Sequence, residues 1–378
     1  MDFSFTPEQD MLRTQARSFL DKRTDGATWK ELAGLGWTGA SVPEAQGGAG
    51  LGFLEEAIVF EELGRALYSG PYFATVGLAL PALAAAPELL TRVASGDLAA
   101  TLAWREPAGS ASLAALDGLL TEARCVKDRW LLSGAKHLVP DAGTVHAFVV
   151  LARTTADPPG GPSGPALFLV ERNGDRPVVA VADTVDATRP LGQLTLDDDE
   201  GTLLVAPSAI AEVMARTRAR ALTALALEAV GIASQALALG VGHAKTREQF
   251  GKPIGVYQAV SHKLADVYVE TELGRSLAYW AAWCVGERTP DADLAALAAK
   301  AYAAEAAVGA CERAIQVHGG MGFTWDHPLQ RYYKRALWIE SFEGSGAAHR
   351  AEIARAILDD DGAGAGPSGR MERSRWTV

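Results

Sequence analysis

Three C-terminal clusters carry residue types that bind anions, admit a close ligand or move protons. The first is Arg247-Glu248-Gln249-Phe250-Gly251-Lys252-Pro253-Ile254, followed by Tyr257-Gln258. An Arg at a helix end, with Phe and Gly in a tight turn, can grip a phosphate and cover an aromatic ring. The second, Gln316-Val317-His318-Gly319-Gly320-Met321-Gly322-Phe323, sets paired glycines after a long helix, where backbone lacking a Cβ can approach a ligand. The third is Ile339-Glu340-Ser341-Phe342-Glu343-Gly344-Ser345-Gly346, leading into a helical stretch from Ala347 to Leu358. It places the Glu343 carboxylate before a helix N-terminus, in a favourable dipole field. Each cluster alone also has a plainer reading: a helix C-cap with a solvated Arg, Gly-mediated helix termination, or an acidic neighbour of an N-cap.

Other patterns carry less. Gly364-Ala365-Gly366-Pro367-Ser368-Gly369 spells GxGxxG, but it follows no strand and opens no helix, so it reads as linker. Asp197-Asp198-Asp199-Glu200 reads as a solvated acidic turn. The seven histidines form no HExxH and no GxSxG elbow is present, which removes support for metallohydrolase or serine-hydrolase chemistry. Cys125, Cys284 and Cys311 are scattered, without CxxC spacing, so neither zinc nor a disulfide framework is expected and a cytoplasmic location fits. A net charge of −11 gives no general attraction to nucleic acid or an anionic membrane. The acidic N-terminus MDFSFTPEQD lacks the apolar core of a signal peptide. Leu222 to Ala244 is long enough to span a bilayer. Its Ala/Gly content and the flanking Arg220, Lys245 and Arg247 point instead to a core helix.

The elements that must hold these clusters follow from the hydrophobic period. Residues 1–98 read as a helical domain. Thr6-Pro7-Glu8-Gln9 combines an N-cap, a proline at the first helical position and a capping-box Gln, and a further helix is expected from Leu54 to Leu67. Residues 99–208 change to short β-branched or aromatic runs (Thr101–Trp104, Trp130–Leu132, Val145–Leu151, Ala166–Val170, Val178–Val181), with a Pro/Gly loop from Thr154 to Pro165. They predict a small antiparallel barrel or sandwich. Residues 209–358 return to helical spacing as a bundle, one helix marked by Val260, Leu264, Val267, Thr271, Gly274, Leu277, Ala281 and Cys284. Residues 359–378 form a Gly/Asp/Arg stretch expected to be mobile. The fold class is thus α+β: helical domain, central β domain, helical bundle.

Together these features resemble the acyl-CoA dehydrogenase family over nearly the whole chain. Gly36-Trp37, Val42-Pro43-Glu44, Gly47-Gly48 and Glu61-Glu62-Leu63-Gly64 look like its N-terminal domain, and Glu106-Pro107 with Gly134-Ala135-Lys136 like its β-domain landmarks. The resemblance implies FAD between the β domain and the bundle, in a tetramer. Arg247, Phe250 and Gln258 would reach the FAD of a neighbouring subunit. Gln316, with Gly319 and Gly320, would contact the ADP half, and Ser345 the flavin end. Phe342-Glu343-Gly344-Ser345 falls on the family's Tyr-Glu-Gly-Thr signature, which makes Glu343 the base that removes the α proton of an acyl thioester. The substrate would be an acyl-CoA or an acyl-carrier-protein thioester, the oxidant an electron-transferring flavoprotein, and the assembly a homotetramer or heterotetramer. Some members carry the base on the first long helix instead, where this chain has Ala221, with Glu228 two turns on.

The chain departs from the family pattern near the flavin and the substrate mouth. The family's Thr before Glu-Pro is Arg105, and its Trp-Ile-Thr is Leu138-Val139-Pro140. The arginine expected early in the first long helix aligns with Leu222, with Arg220 nearby, and a family Gln is Ala347. Two alternatives therefore stand beside the dehydrogenase reading: a flavin oxidase or monooxygenase on the same fold, and a non-catalytic subunit of a heterotetramer.

Overall fold

The computed structural model describes residues 5–23, 26–109, 112–155 and 163–358. The GxGxxG segment and the tail 359–378 lie outside them, as does most of the Pro/Gly loop.

The first helices are α1 (Pro7–Asp21), α2 (Trp29–Gly34) and α3 (Phe53–Arg65). Thr6 Oγ1 accepts from Gln9 N at 3.3 Å while Gln9 Oε1 accepts from Thr6 N at 3.0 Å, so the predicted capping box forms. A π-helical segment, Phe73–Ala79, runs into α4 (Leu80–Leu83), and α5 (Pro87–Ala94) completes the helical region. Nothing in the hydrophobic period foretold the π turn. Its Thr75 hydroxyl donates to Ala100 O at 2.9 Å and accepts from Ala100 N at 3.1 Å, which ties the segment to the first strand.

Seven strands follow: β1 (Ala100–Ala103), β2 (Glu122–Val126), β3 (Arg129–Pro140), β4 (Ala147–Thr155), β5 (Gly164–Glu171), β6 (Val178–Val181) and β7 (Leu191–Val205). The pairings β4–β2–β3–β7–β5–β4 close a five-stranded barrel, with β1 added to β4 and β6 to β7. The sheet is mixed rather than purely antiparallel, because β1 and β2 share one edge of β4 in turn and both run parallel to it. The long connection from 104 to 121 carries the chain back so that both strands enter from the same end. Two strands had escaped the sequence reading. β2 is short and charged, and β7 contains the acidic run Asp197–Glu200, which lies in a strand rather than a turn, with Asp197, Asp198 and Glu200 exposed as expected and Asp199 buried. Asp198 sits at a positive φ of 55° and pairs with Arg124 at 2.8 Å, and Asp199 pairs with Arg176 at 3.0 Å.

The remaining helices are α6 (Ile210–Thr246), α7 (Gln258–Glu287), α8 (Ala292–His318), α9 (Leu329–Ser341) and α10 (Gly346–Leu358), with a small hairpin β8 (Glu248–Gln249) and β9 (Lys252–Pro253) between α6 and α7. Two helical stretches, Ile210–Thr246 and Ala292–Phe323, are long and apolar enough to cross a membrane. Two-thirds of each apolar window (67%) is buried within the protein. Glycines bring α3 and α6 into backbone contact: a Cβ on Gly64 would collide with Glu228 O, and one on Gly231 with Glu61 O.

Candidate active site

Glu343 lies in the turn between α9 and α10, with a φ of 61° that non-glycine residues seldom adopt. Such a conformation costs on the order of 1–3 kcal/mol and persists where surrounding structure enforces it. The enforcing contacts are visible. Lys300, fully buried on α8, donates to Glu340 O at 2.8 Å and to Gly344 O at 2.6 Å, one bond on each side of Glu343. Behind the turn, Phe342 meets Phe73 and Trp104 edge-on at 5.6 and 5.7 Å between centroids.

The Glu343 side chain is fully buried. Oε1 accepts from Arg218 Nε at 2.7 Å, from Leu113 N at 2.9 Å and from Ser112 Oγ at 3.0 Å. Oε2 is buried without a partner among the described residues. A carboxylate with one anchored and one unfilled oxygen is oriented for a proton that arrives with a ligand. Arg218 is itself held by both oxygens of Glu352, at 2.6 and 2.8 Å. The hydrogen bonds that Arg218 donates to Glu352, with Glu343 adding, raise the Arg218 pKa against the pull of burial, and Arg218 in turn lowers that of Glu352. His349, buried one turn along α10, is pushed down to about 4 by burial, with Lys300 and Arg218 adding to the effect, so its ring is neutral near pH 7.

Arg218 escaped the sequence reading, which looked to Leu222 and Arg220. It lies one helical turn before Leu222 on the same face, and that spacing was the available signal. Arg220 points elsewhere: it bonds Val76 O at 2.7 Å, pairs with Glu56 and lies over the Phe53 ring. Glu228, the alternative carboxylate, is a structural ion. It is buried against Arg189 at 2.6 Å and Arg335 at 3.4 Å, and Arg335 also holds Asp186 at 2.8 Å.

The β-domain landmarks Glu106 and Lys136 come together. Glu106 accepts from Lys136 Nζ at 2.7 Å in full burial, and from Leu120 N and Thr121 N at 2.7 and 2.9 Å. Burial raises the Glu106 pKa, but the Lys136 bond and these amides outweigh it and hold the carboxyl at about 2. Leu138 has a φ of 51° at a register break between β3 and β7 and is 41% exposed, so this bulge faces outward where the family carries an aromatic residue.

The expected cofactor residues fall into two groups. Arg247 caps the end of α6, Phe250 sits at a φ of 53° in the β8–β9 turn, and Gln258 opens α7. Gln316 with Gly319 and Gly320 ends α8, and the stacked rings of His243 and His318, 4.3 Å apart, hold the ends of α6 and α8 together. Ser345 belongs to the other end. It caps α10, its Oγ accepting from Ala348 N at 3.3 Å. From Lys300, beneath Glu343, to Gln316 is sixteen residues of helix, roughly 24 Å at about 1.5 Å per residue. One chain therefore does not gather both groups around one ring system. Phe250 is 91% exposed on its turn. The two separated groups fit an extended dinucleotide shared between chains.

A cavity of about 790 Å³ lies away from Glu343. It lies across α6, lined by Phe53, Leu80, Arg216, Arg220, Arg288 and Thr289 among others. Strain, burial and a half-satisfied carboxylate coincide at Glu343 instead.

The chain belongs to the acyl-CoA dehydrogenase family. Residues 6–88 match the family's N-terminal domain and residues 210–358 its C-terminal domain. It is an oxidoreductase acting on the CH–CH group of acyl-CoA, in a family whose members are flavoproteins, generally with FAD. The probable acyl-CoA dehydrogenase YngJ of Bacillus subtilis is 31% identical over 95% of this chain and 100% of its own length. Butyryl-CoA dehydrogenase from Megasphaera elsdenii superposes with a TM-score of 0.85 at 26% identity, covering 95% of this chain and all of that one. The Tcur3481-Tcur3483 steroid ACAD superposes at 0.78 with 32% identity, covering 94% and 99%.

Proposed function

We propose that the protein desaturates an acyl thioester between its α and β carbons, with Glu343 as the base. The observation that carries this is the Glu343 carboxylate: buried, held by three donors on Oε1 and unfilled at Oε2. FAD, when bound, supplies at N5 the acceptor for the hydride that no side chain can take. Arg247, Phe250 and Gln258 with Gln316, Gly319 and Gly320 of one chain would hold it together with Ser345 of another in a homotetramer or heterotetramer. Glu343 would take the α proton as the β hydrogen leaves with its electron pair, giving the 2-enoyl thioester. A positioned base of this kind contributes on the order of 10²–10⁴ in rate. Closure of the thioester over the carboxylate excludes water from the reacting atoms. Electrons then pass to an electron-transferring flavoprotein in the cytoplasm.

The experiment is anaerobic titration of the flavin-loaded protein with straight-chain, branched and steroid acyl-CoAs and a carrier-protein thioester. Bleaching near 450 nm by one class, lost in Glu343→Gln with flavin content unchanged, is the expected result. Wild-type single-turnover reduction in Glu343→Gln would remove Glu343 from the role.

A further inference from the structure

We propose that Lys300 is the positioning residue for the base: its ammonium bridges the carbonyls of Glu340 and Gly344, which flank Glu343, and so sets where that carboxylate points. The inference rests on Glu343 being the base. Glu340 O belongs to the last turn of α9, where carbonyls have no partner within the helix and stay oriented only if something else donates to them. Gly344 O lies beyond the turn. One buried nitrogen joined to both at 2.8 and 2.6 Å fixes the span between them, and Glu343, at a φ of 61°, is the residue held inside that span.

Lys300 has no carboxylate within ion-pair distance among the described residues, although Glu305 lies one turn along the same helix and pairs with Arg350 at 2.5 Å. Burial pulls its pKa down to about 8, with Glu340, Glu343 and Glu305 opposing. A group that served packing alone would be better filled by Met or Leu, because a buried ammonium is costly to desolvate. Its three donors are what an aliphatic side chain would lack. The same helix also receives the start of α10: a Cβ on Gly346 would strike the Glu305 carboxylate. α8 thus grips both ends of the turn, and Lys300 is the polar part of that grip.

The consequence is a loss of base function without a loss of site. Acetyl-CoA provides the probe, because it has α protons but no β carbon and cannot be dehydrogenated. In D₂O, a base that removes its α proton and returns a deuteron exchanges the methyl hydrogens, which proton NMR reads without any hydride transfer. The flavin-loaded wild type is expected to exchange acetyl-CoA and Glu343→Gln to lose this. Lys300→Met should exchange at least 10-fold more slowly while keeping wild-type flavin content and acetyl-CoA affinity. Lys300→Gln, a shorter neutral donor, should recover part of the rate, and it serves as the test if the Met variant does not fold. Wild-type exchange in Lys300→Met or in the folded Gln variant, with Glu343→Gln silent, overturns the role of Lys300 alone. Exchange retained in Glu343→Gln overturns the base assignment itself.

Discussion

Arg218 Nε donates to Glu343 Oε1 at 2.7 Å while its two terminal nitrogens grip the carboxylate of Glu352 at 2.6 and 2.8 Å. The guanidinium is a rigid fork held from its far side, so the position of Glu343 is set from α10 as well as from its own turn.

Arg218→Gln should therefore slow single-turnover flavin reduction by about 10–100-fold, since a displacement near 1 Å at a reacting group has effects of that size. Glu352→Gln leaves the Nε contact in place and should cost less than Arg218→Gln. Stopped-flow reduction compares them, and equal rates in Arg218→Gln and wild type would detach this pair from catalysis.

The buried pair of Lys136 and Glu106 gives a stability prediction. Lys136→Met leaves a buried carboxylate with its two backbone amides but no counter-ion and should cost about 3–5 kcal/mol in urea unfolding at pH 7. Because the folded Glu106 pKa is about 2 against an ordinary 4.5, its contribution is complete above pH 4.5 and is lost as pH falls towards 2. The difference between Lys136→Met and wild type should shrink over that interval.

Asp141 has the opposite sign. Burial raises its pKa to about 7, against the opposing charges of Arg189 and Arg335, and its Oδ2 has no partner. Its stabilising contribution is complete below pH 4 and disappears as pH rises through 7. Asp141→Asn, tolerated at a φ of 52°, should be more stable than wild type at pH 8 by a few kcal/mol at most, with the gain gone near pH 4. Thermal unfolding at the two pH values reads this directly.

Gly231→Ala places a methyl against Glu61 O at the α3–α6 crossing. Overpacking of this kind costs typically 1–3 kcal/mol, and here it falls on backbone that cannot rotate away. An unchanged melting temperature would contradict the crossing.

Phe250 is exposed and far from Glu343 in its own chain, so Phe250→Ala should leave the folding of the subunit intact. Flavin content after gel filtration should fall, because the ring would cover a neighbour's cofactor. Full flavin retention would separate this turn from the cofactor site.

The sequence by itself determined the order of helical, β and helical regions. Capping signals such as Thr6 with Gln9, and the change from helical period to short β-branched runs, act locally and leave their marks in adjacent residues. It also determined Glu343 as the base candidate, because the surrounding turn residues form a recognisable string. What it did not determine was how the sheet closes, since the parallel β1–β4 and β2–β4 pairings join residues far apart in sequence. Nor did it identify what surrounds Glu343. Ser112 and Leu113 come from the β domain, Arg218 from α6 and Lys300 from α8, and an isolated Arg or Lys on a helix looks the same whether it faces water or a buried carboxylate. The surroundings of Glu228 turned on the same point: it lies two turns beyond Ala221, the position the resemblance picks out, and the arrival of Arg189 and Arg335 made it a buried ion. Local pattern specifies elements because short-range backbone preferences dominate there. Charge pairing is decided by three-dimensional proximity, which only the packed chain supplies.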